Sequence, residues 1–103
     1  MRRISSRANP AVQRVRRLAR DGAACRALGQ AWLEGEHLCA ALVARGGRAA
    51  TALYSESAWA RGRLADLAAH ADEAVVLPDA LFAQISPLPS PAGVGFLMAL
   101  PPP

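Results

Sequence analysis

Four short apolar runs, each separated from the next by a stretch with helical character, constrain this chain more than any other feature. They are Ala31-Trp32-Leu33, Thr51 to Tyr54, Ala74-Val75-Val76-Leu77 and Val94 to Leu100. Runs of this length bounded by turn residues read as strands. Between the first two, Glu36 to Arg45 reads as a helix with Leu38, Ala41, Leu42 and the flanking Cys39 and Val43 largely buried, ended by Gly46-Gly47. Ser55 to about Ala71 reads as a helix whose inward stripe is Ala60, Leu64, Leu67, Ala68 and Ala71. Pro78-Asp79 opens a short helix with Leu81, Phe82 and Ile85 on one face, and the proline-rich loop Ser86 to Pro91 leads into the last run, which reads as a central strand. Strands alternating with helices imply an α/β sandwich whose sheet is mixed or mostly parallel and covered on both faces.

A chain of 103 residues supplies one modest core, which excludes a multidomain enzyme. No stretch approaches the roughly 20 apolar residues needed to cross a bilayer, and the N-terminus lacks the apolar segment of a secretory signal. A soluble, cytoplasmic domain with no membrane partner is the expectation. Cys25 and Cys39 are the two cysteines, too far apart for a CxxC motif, and read as reduced thiols, Cys39 as a small core residue. The terminal Pro101-Pro102-Pro103 resembles the start of a stiff linker, so a further segment is expected beyond it.

Charge divides the chain. All twelve basic residues are arginine, and eight of them (Arg2, Arg3, Arg7, Arg14, Arg16, Arg17, Arg20, Arg26) lie in residues 1–26 beside a single acid, Asp21. Residues 27–103 carry four arginines and seven carboxylates. GC-rich codon usage explains arginine over lysine but not the clustering. Asn9-Pro10 supplies a favoured N-cap followed by proline at the first helical position. From Ala11 to Arg20 the helical period gathers Ala11, Val12, Val15, Leu18 and Ala19 on one side and Arg14, Arg16, Arg17 and Arg20 on the other. Residues 1–26 therefore read as a basic arm whose helix docks by its aliphatic side, and residues 27–100 as the body. Because guanidinium groups match phosphate oxygens, nucleic acid is the leading partner. A merely solvated basic helix and an organellar transit peptide are the other readings of the same arginines, the Asn-Pro cap arguing against the second.

The chain has no GxGxxG, GxxxxGK[ST], HExxH or paired CxxC motif. His37 and His70 read as polar or cap-proximal side chains, and the few aromatics are too dispersed for an RNA-stacking sheet. No catalytic residue and no metal site is expected. Glu34 and Glu36 sit beside the start of a predicted helix, where carboxylates are favoured without any catalytic role.

Four segments in order then carry a family resemblance: Ile4-Ser5-Ser6-Arg7-Ala8-Asn9-Pro10-Ala11-Val12, Arg26, Leu33-Glu34-Gly35-Glu36-His37-Leu38 and Pro91-Ala92-Gly93-Val94. Together they resemble the N-terminal substrate-binding domain of the SpoU family of RNA ribose 2'-O-methyltransferases, over nearly the whole chain. The sequence departs from the family at Ala31, where an aromatic is usual, and at Ala92, where glutamine is common. The resemblance implies a three-layer α/β/α domain, similar to ribosomal proteins that bind kinked RNA, which presents structured rRNA or tRNA to a separate catalytic domain. That domain, not this segment, would hold S-adenosylmethionine, and the isolated segment is expected to be a non-catalytic monomer. By carry-over Arg7, Asn9 and Arg26 are expected RNA contacts, with His37 a weaker one, while Arg14 and Arg17 come from the helix face. Glu34, Gly35, Pro91 and Gly93 are expected to shape strand ends and turns. A stand-alone ribosomal-protein-like module that binds RNA or protein is the alternative, and the gene sequence beyond Pro103 discriminates the two.

Overall fold

The computed structural model describes residues 1–101, so the expected linker over 101–103 lies, beyond Pro101, outside the described residues. The chain runs β1 (Arg2–Arg3), α1 (Pro10–Arg20), α2 (Ala24–Leu28), β2 (Gln30–Glu34), α3 (Glu36–Ala44), β3 (Ala49–Ser55) and α4 (Glu56–Arg61). A 3-10 segment (Ala65–His70), β4 (Ala71–Leu77), α5 (Asp79–Ile85) and β5 (Val94–Ala99) follow. The strands form one sheet in the order β1-β4-β3-β5-β2. β4 is parallel to β1 and β3, whereas β5 is antiparallel to both β3 and β2, so the sheet is mixed.

Side-chain alternation along the central strands divides the core into two layers. Leu53 and Val75 face the side covered by α1 and α5, where they pack with Val12, Val15, Leu77, Phe82 and Ile85. Ala52, Tyr54 and Val76 face the side covered by α3, α4 and the 3-10 segment, with Cys39, Val94 and Phe96. Each fully buried Val, Leu, Ile or Phe contributes about 1.5–3 kcal/mol relative to exposure. The result is the expected α/β/α sandwich. Tyr54 satisfies its phenol within the core by donating to the Leu64 carbonyl at 2.7 Å, and its ring meets Trp59 edge-on at 5.0 Å.

Several local expectations are corrected. The helix predicted over Ser55 to about Ala71 ends at Arg61, because Gly62 adopts a left-handed cap conformation and donates its N–H to the Trp59 carbonyl. A 3-10 segment replaces its second half, and β4 already begins at Ala71. Ala58, not Ala60, is the buried alanine of α4. Between α1 and β2, where Gly22 and Gly29 punctuate the sequence, the chain forms the short helix α2. The Ala31-Trp32-Leu33 run is an edge strand, half-buried throughout. Leu38 and Ala41 are exposed on the outer side of α3, where Cys39 alone is fully buried. The two-residue β1 had no sequence signal, since both of its side chains are exposed arginines.

Candidate nucleic-acid interface

Helix α1 is built as its sequence directs. The Asn9 side-chain oxygen accepts hydrogen bonds from the Ala11 N–H at 2.9 Å and the Val12 N–H at 3.4 Å, with Pro10 in the first turn. Val12 and Val15 are buried and Leu18 packs against the same layer, which fastens the helix to the sheet by its aliphatic side. Gln13, Arg14, Arg16, Arg17 and Arg20 are left on the exposed face.

That face is unusual in having no compensating charge. Asp21 follows the helix, but α1 itself contains no carboxylate. Arg16 and Arg20 stand four residues apart, and Arg14 and Arg17, like Arg17 and Arg20, three apart, spacings at which like charges destabilise a helix by about 0.2–0.5 kcal/mol per pair. Placement of Arg17 and Arg20 in the last turn, near the negative end of the helix dipole, offsets part of this cost. Arg14 and Arg16 have no such compensation.

The carboxylates of the body other than Asp66 are engaged elsewhere. Ion pairs join Arg2 to Glu73 at 2.6 Å, Arg3 to Glu56 at 3.1 Å, Arg48 to Asp72 at 3.2 Å and Arg63 to Glu36 at 2.7 Å. All are exposed, a class whose typical worth is about 0–1 kcal/mol. The hydrogen bond from Arg63 holds the Glu36 carboxyl below its usual range, and hydrogen bonds from Ser57 do the same for Asp79. Asp21 accepts from the Ala23 N–H. Arg2 and Arg3 are thus tied to the body, whereas Arg7, Arg14, Arg16, Arg17, Arg20 and Arg26 of the arm, and Arg45 and Arg61 of the body, form no ion pair among the described residues. Arg14 donates to the Gln30 side chain at 3.1 Å and Arg20 to the Gln84 carbonyl at 2.5 Å, both neutral partners that orient a guanidinium without neutralising it.

An open groove of about 780 Å³ runs along one flank of α1, lined by Ser6, Arg7, Ala8, Gln13, Arg16, Arg17, Arg20 and Asp21. A second, of about 290 Å³, lies on the other flank between Pro10, Gln13, Arg14, Arg17 and Leu28. Of the residues expected to contact RNA, Arg7 and Arg17 meet in the first groove, and Arg14 and Arg17 in the second. Asn9 spends its side-chain oxygen on the helix cap. Arg26 is exposed on α2 and lines neither groove. His37 is exposed at the start of α3, in the layer on the opposite face of the sheet from α1. Arg16 and Arg20 were not among the expected contacts, although their position on the outer face of the helix was legible.

The residues expected to shape strand ends do converge. Glu34 accepts from the Ser86 hydroxyl at 2.7 Å, the Ala92 N–H at 3.0 Å and the Trp32 indole N–H at 3.3 Å. It therefore joins β2, the end of α5 and the loop before β5, instead of capping α3. The Gly35 N–H donates to the Val94 carbonyl and the Ser55 N–H to the Gly93 carbonyl. Gly93 has a φ of +85°, and a Cβ there would stand 2.9 Å from the Ala58 Cβ and 3.1 Å from the Ser55 hydroxyl oxygen, so glycine is required on both counts. Pro91 and Gly93 line a cavity of about 300 Å³ with Ser57, Arg61 and Asp79.

These features define a three-layer α/β/α domain that displays one arginine-rich helix. Solved structures with this architecture include a crystal structure of an RNA 2'-O ribose methyltransferase, which superposes with a TM-score of 0.74 at 22% identity over 96% of this chain. An rRNA methyltransferase from Sinorhizobium meliloti superposes with a TM-score of 0.72 at 16% identity over 97% of the chain. An AdoMet-bound rRNA methyltransferase from the same organism gives 0.71 and 17%. At these identities the likeness is one of fold. The chain spans only 37–38% of the length of these proteins. No family model and no curated protein matches the sequence.

Proposed function

We propose that this chain is the RNA substrate-binding domain of a SpoU-type RNA 2'-O-ribose methyltransferase. The arm over residues 1–26 and the body over 27–100 would together hold structured rRNA or tRNA in the cytoplasm. The single observation that carries the reading is the set of arginines on and beside α1 that no carboxylate neutralises, displayed on a fold that RNA methyltransferases share. Positive charge left unpaired at a like-charge cost is explained by a polyanion that supplies the missing counter-charge.

In this reading α1 contributes position and electrostatic attraction, and methyl transfer belongs to a separate catalytic domain that binds S-adenosylmethionine. Arg7, Arg16 and Arg17 meet phosphates, Asn9 holds the helix that presents them, and Glu34, Gly35, Pro91 and Gly93 keep the strand ends in register. Arg26 and His37 lie outside the α1 grooves and contribute only to a footprint that extends beyond them. The isolated chain is a monomer.

The test is a titration of structured RNA at several salt concentrations with the chain and its Arg7→Ala/Arg17→Ala variant. For every phosphate that is no longer neutralised, the slope of log K against log salt becomes shallower by about 0.7–0.9. The variant is expected to bind more weakly with a shallower slope, and an unchanged slope overturns the assignment of these arginines.

A further inference from the structure

The two grooves beside α1 share a crest. At about 100° per residue, Gln13 and Arg17 project away from the docked side formed by Val12, Val15 and Leu18, with Arg16 and Arg20 down one flank and Arg14 down the other. The cavities record the same division, since Gln13 and Arg17 line both, whereas Arg7, Arg16 and Arg20 line only one and Arg14 only the other. The flanking guanidiniums are held apart by neutral anchors at opposite sides of the helix, Arg14 by Gln30 at the start of β2 and Arg20 by the Gln84 carbonyl of α5. A single phosphate track needs cations on one side only. Here they stand on both sides of a polar crest, Arg7, Arg16 and Arg20 on one and Arg14 on the other.

We infer that α1 straddles double-helical RNA, setting Arg7, Arg16 and Arg20 against the phosphates of one strand and Arg14 against those of the other. The inference rests on the RNA-binding reading above and narrows its ligand to a duplex segment. An A-form helix offers a wide, shallow minor groove edged by two phosphate backbones and floored by 2'-hydroxyls, which suits a shallow crest better than a deep insertion. The Gln13 side chain is exposed and has no hydrogen-bond partner among the described residues. Its amide both donates and accepts, as does a ribose 2'-hydroxyl, so the crest is suited to the sugar edge. Arg17 beside it reaches either strand.

The experiment compares a fully paired RNA duplex, its two separated strands and the DNA duplex of the same sequence, by fluorescence anisotropy across a salt series. The chain is tested alongside Arg7→Ala/Arg16→Ala, Arg14→Ala, Gln13→Ala and, as a control on the body, Arg48→Ala. Duplex RNA is expected to bind more tightly than either strand. Each arginine replaced on either flank lowers its salt slope by about one, and the reductions from the two flanks add. Gln13→Ala narrows the preference for RNA over DNA, and Arg48→Ala changes nothing. Equal affinity for duplex and single strands, with slope reductions from one flank only, overturns the straddling geometry while leaving RNA binding intact. Absence of salt-dependent RNA binding overturns both.

Discussion

The carboxylate of Glu34 accepts a 2.7 Å hydrogen bond from the hydroxyl of Ser86, 52 residues away in sequence. The same oxygen accepts the Ala92 N–H, so one side chain closes the gap between the edge strand β2, the end of α5 and the entry to β5. Hydrogen bonds to a charged group contribute about 1.5–3 kcal/mol each, and their loss leaves the donors to find water. Glu34→Ala is expected to lower stability by about 2 kcal/mol, read as a reduced urea midpoint at unchanged denaturant slope. Ser86→Ala should cost less, because the Ala92 and Trp32 donors keep their acceptor. Equal stabilities for Glu34→Ala and the parent chain would falsify this role.

Trp32 and Gly95 form a second cross-strand dependence. A Cβ at Gly95 would lie 2.1 Å from the Trp32 ring, which tilts toward Phe82 at a centroid distance of 6.3 Å. Forcing extra volume into such a contact costs about 1–3 kcal/mol. Gly95→Ala is therefore expected to destabilise in that range, and Trp32→Leu in the same molecule to recover part of the loss. Strict additivity in the double-mutant cycle contradicts the contact.

Asn9 offers a separation of capping from ligand contact. Asn9→Ala is expected to cost about 1 kcal/mol of stability through loss of the N-cap, and Asn9→Ser to restore most of it. Measured below the unfolding transition, where both variants stay folded, RNA affinity is expected to be unchanged in both. A variant as stable as the parent but weaker for RNA would assign Asn9 a direct contact.

The strand and helix order was legible because hydrophobic period and local caps encode it. Asn9-Pro10 gave the start of α1, and the Val12–Val15 spacing gave its buried side. What escaped was settled by tertiary partners. Arg2 and Arg3 carry no apolar signal for β1, which exists because β4 offers a free edge and Glu73 and Glu56 accept the guanidiniums. The α4 helix stops where Gly62 turns left-handed, although apolar residues continue at helical spacing to Ala71. Within the interface, the arginine face was readable from Arg14 to Arg20, but its division into two flanks depends on where Ser6–Ala8 and Leu28 come to rest. The family resemblance also nominated His37 as an RNA contact, whereas the sheet separates its helix from α1.

Burial distinguishes the two thiols. The Cys39 thiol is pushed up to about 12 by desolvation, while Cys25 is half-buried on α2. Since the thiolate is the reactive form, iodoacetamide at pH 8 is expected to label Cys25 in the native chain and Cys39 only after unfolding. Comparable native labelling rates at both sites contradict the packing of α3.

The central claim is that the guanidiniums clustered on α1 are available to phosphates, while Arg48 and Arg63 of the body, like Arg2 and Arg3, are already paired. Its most direct measurement follows arginine side-chain Nε–Hε resonances by NMR as structured RNA is added. Arg7, Arg16 and Arg17 are expected to shift, and Arg2, Arg3, Arg48 and Arg63 to stay in place. Shifts confined to the layer of His37 and α3, with the α1 resonances unmoved, would contradict it.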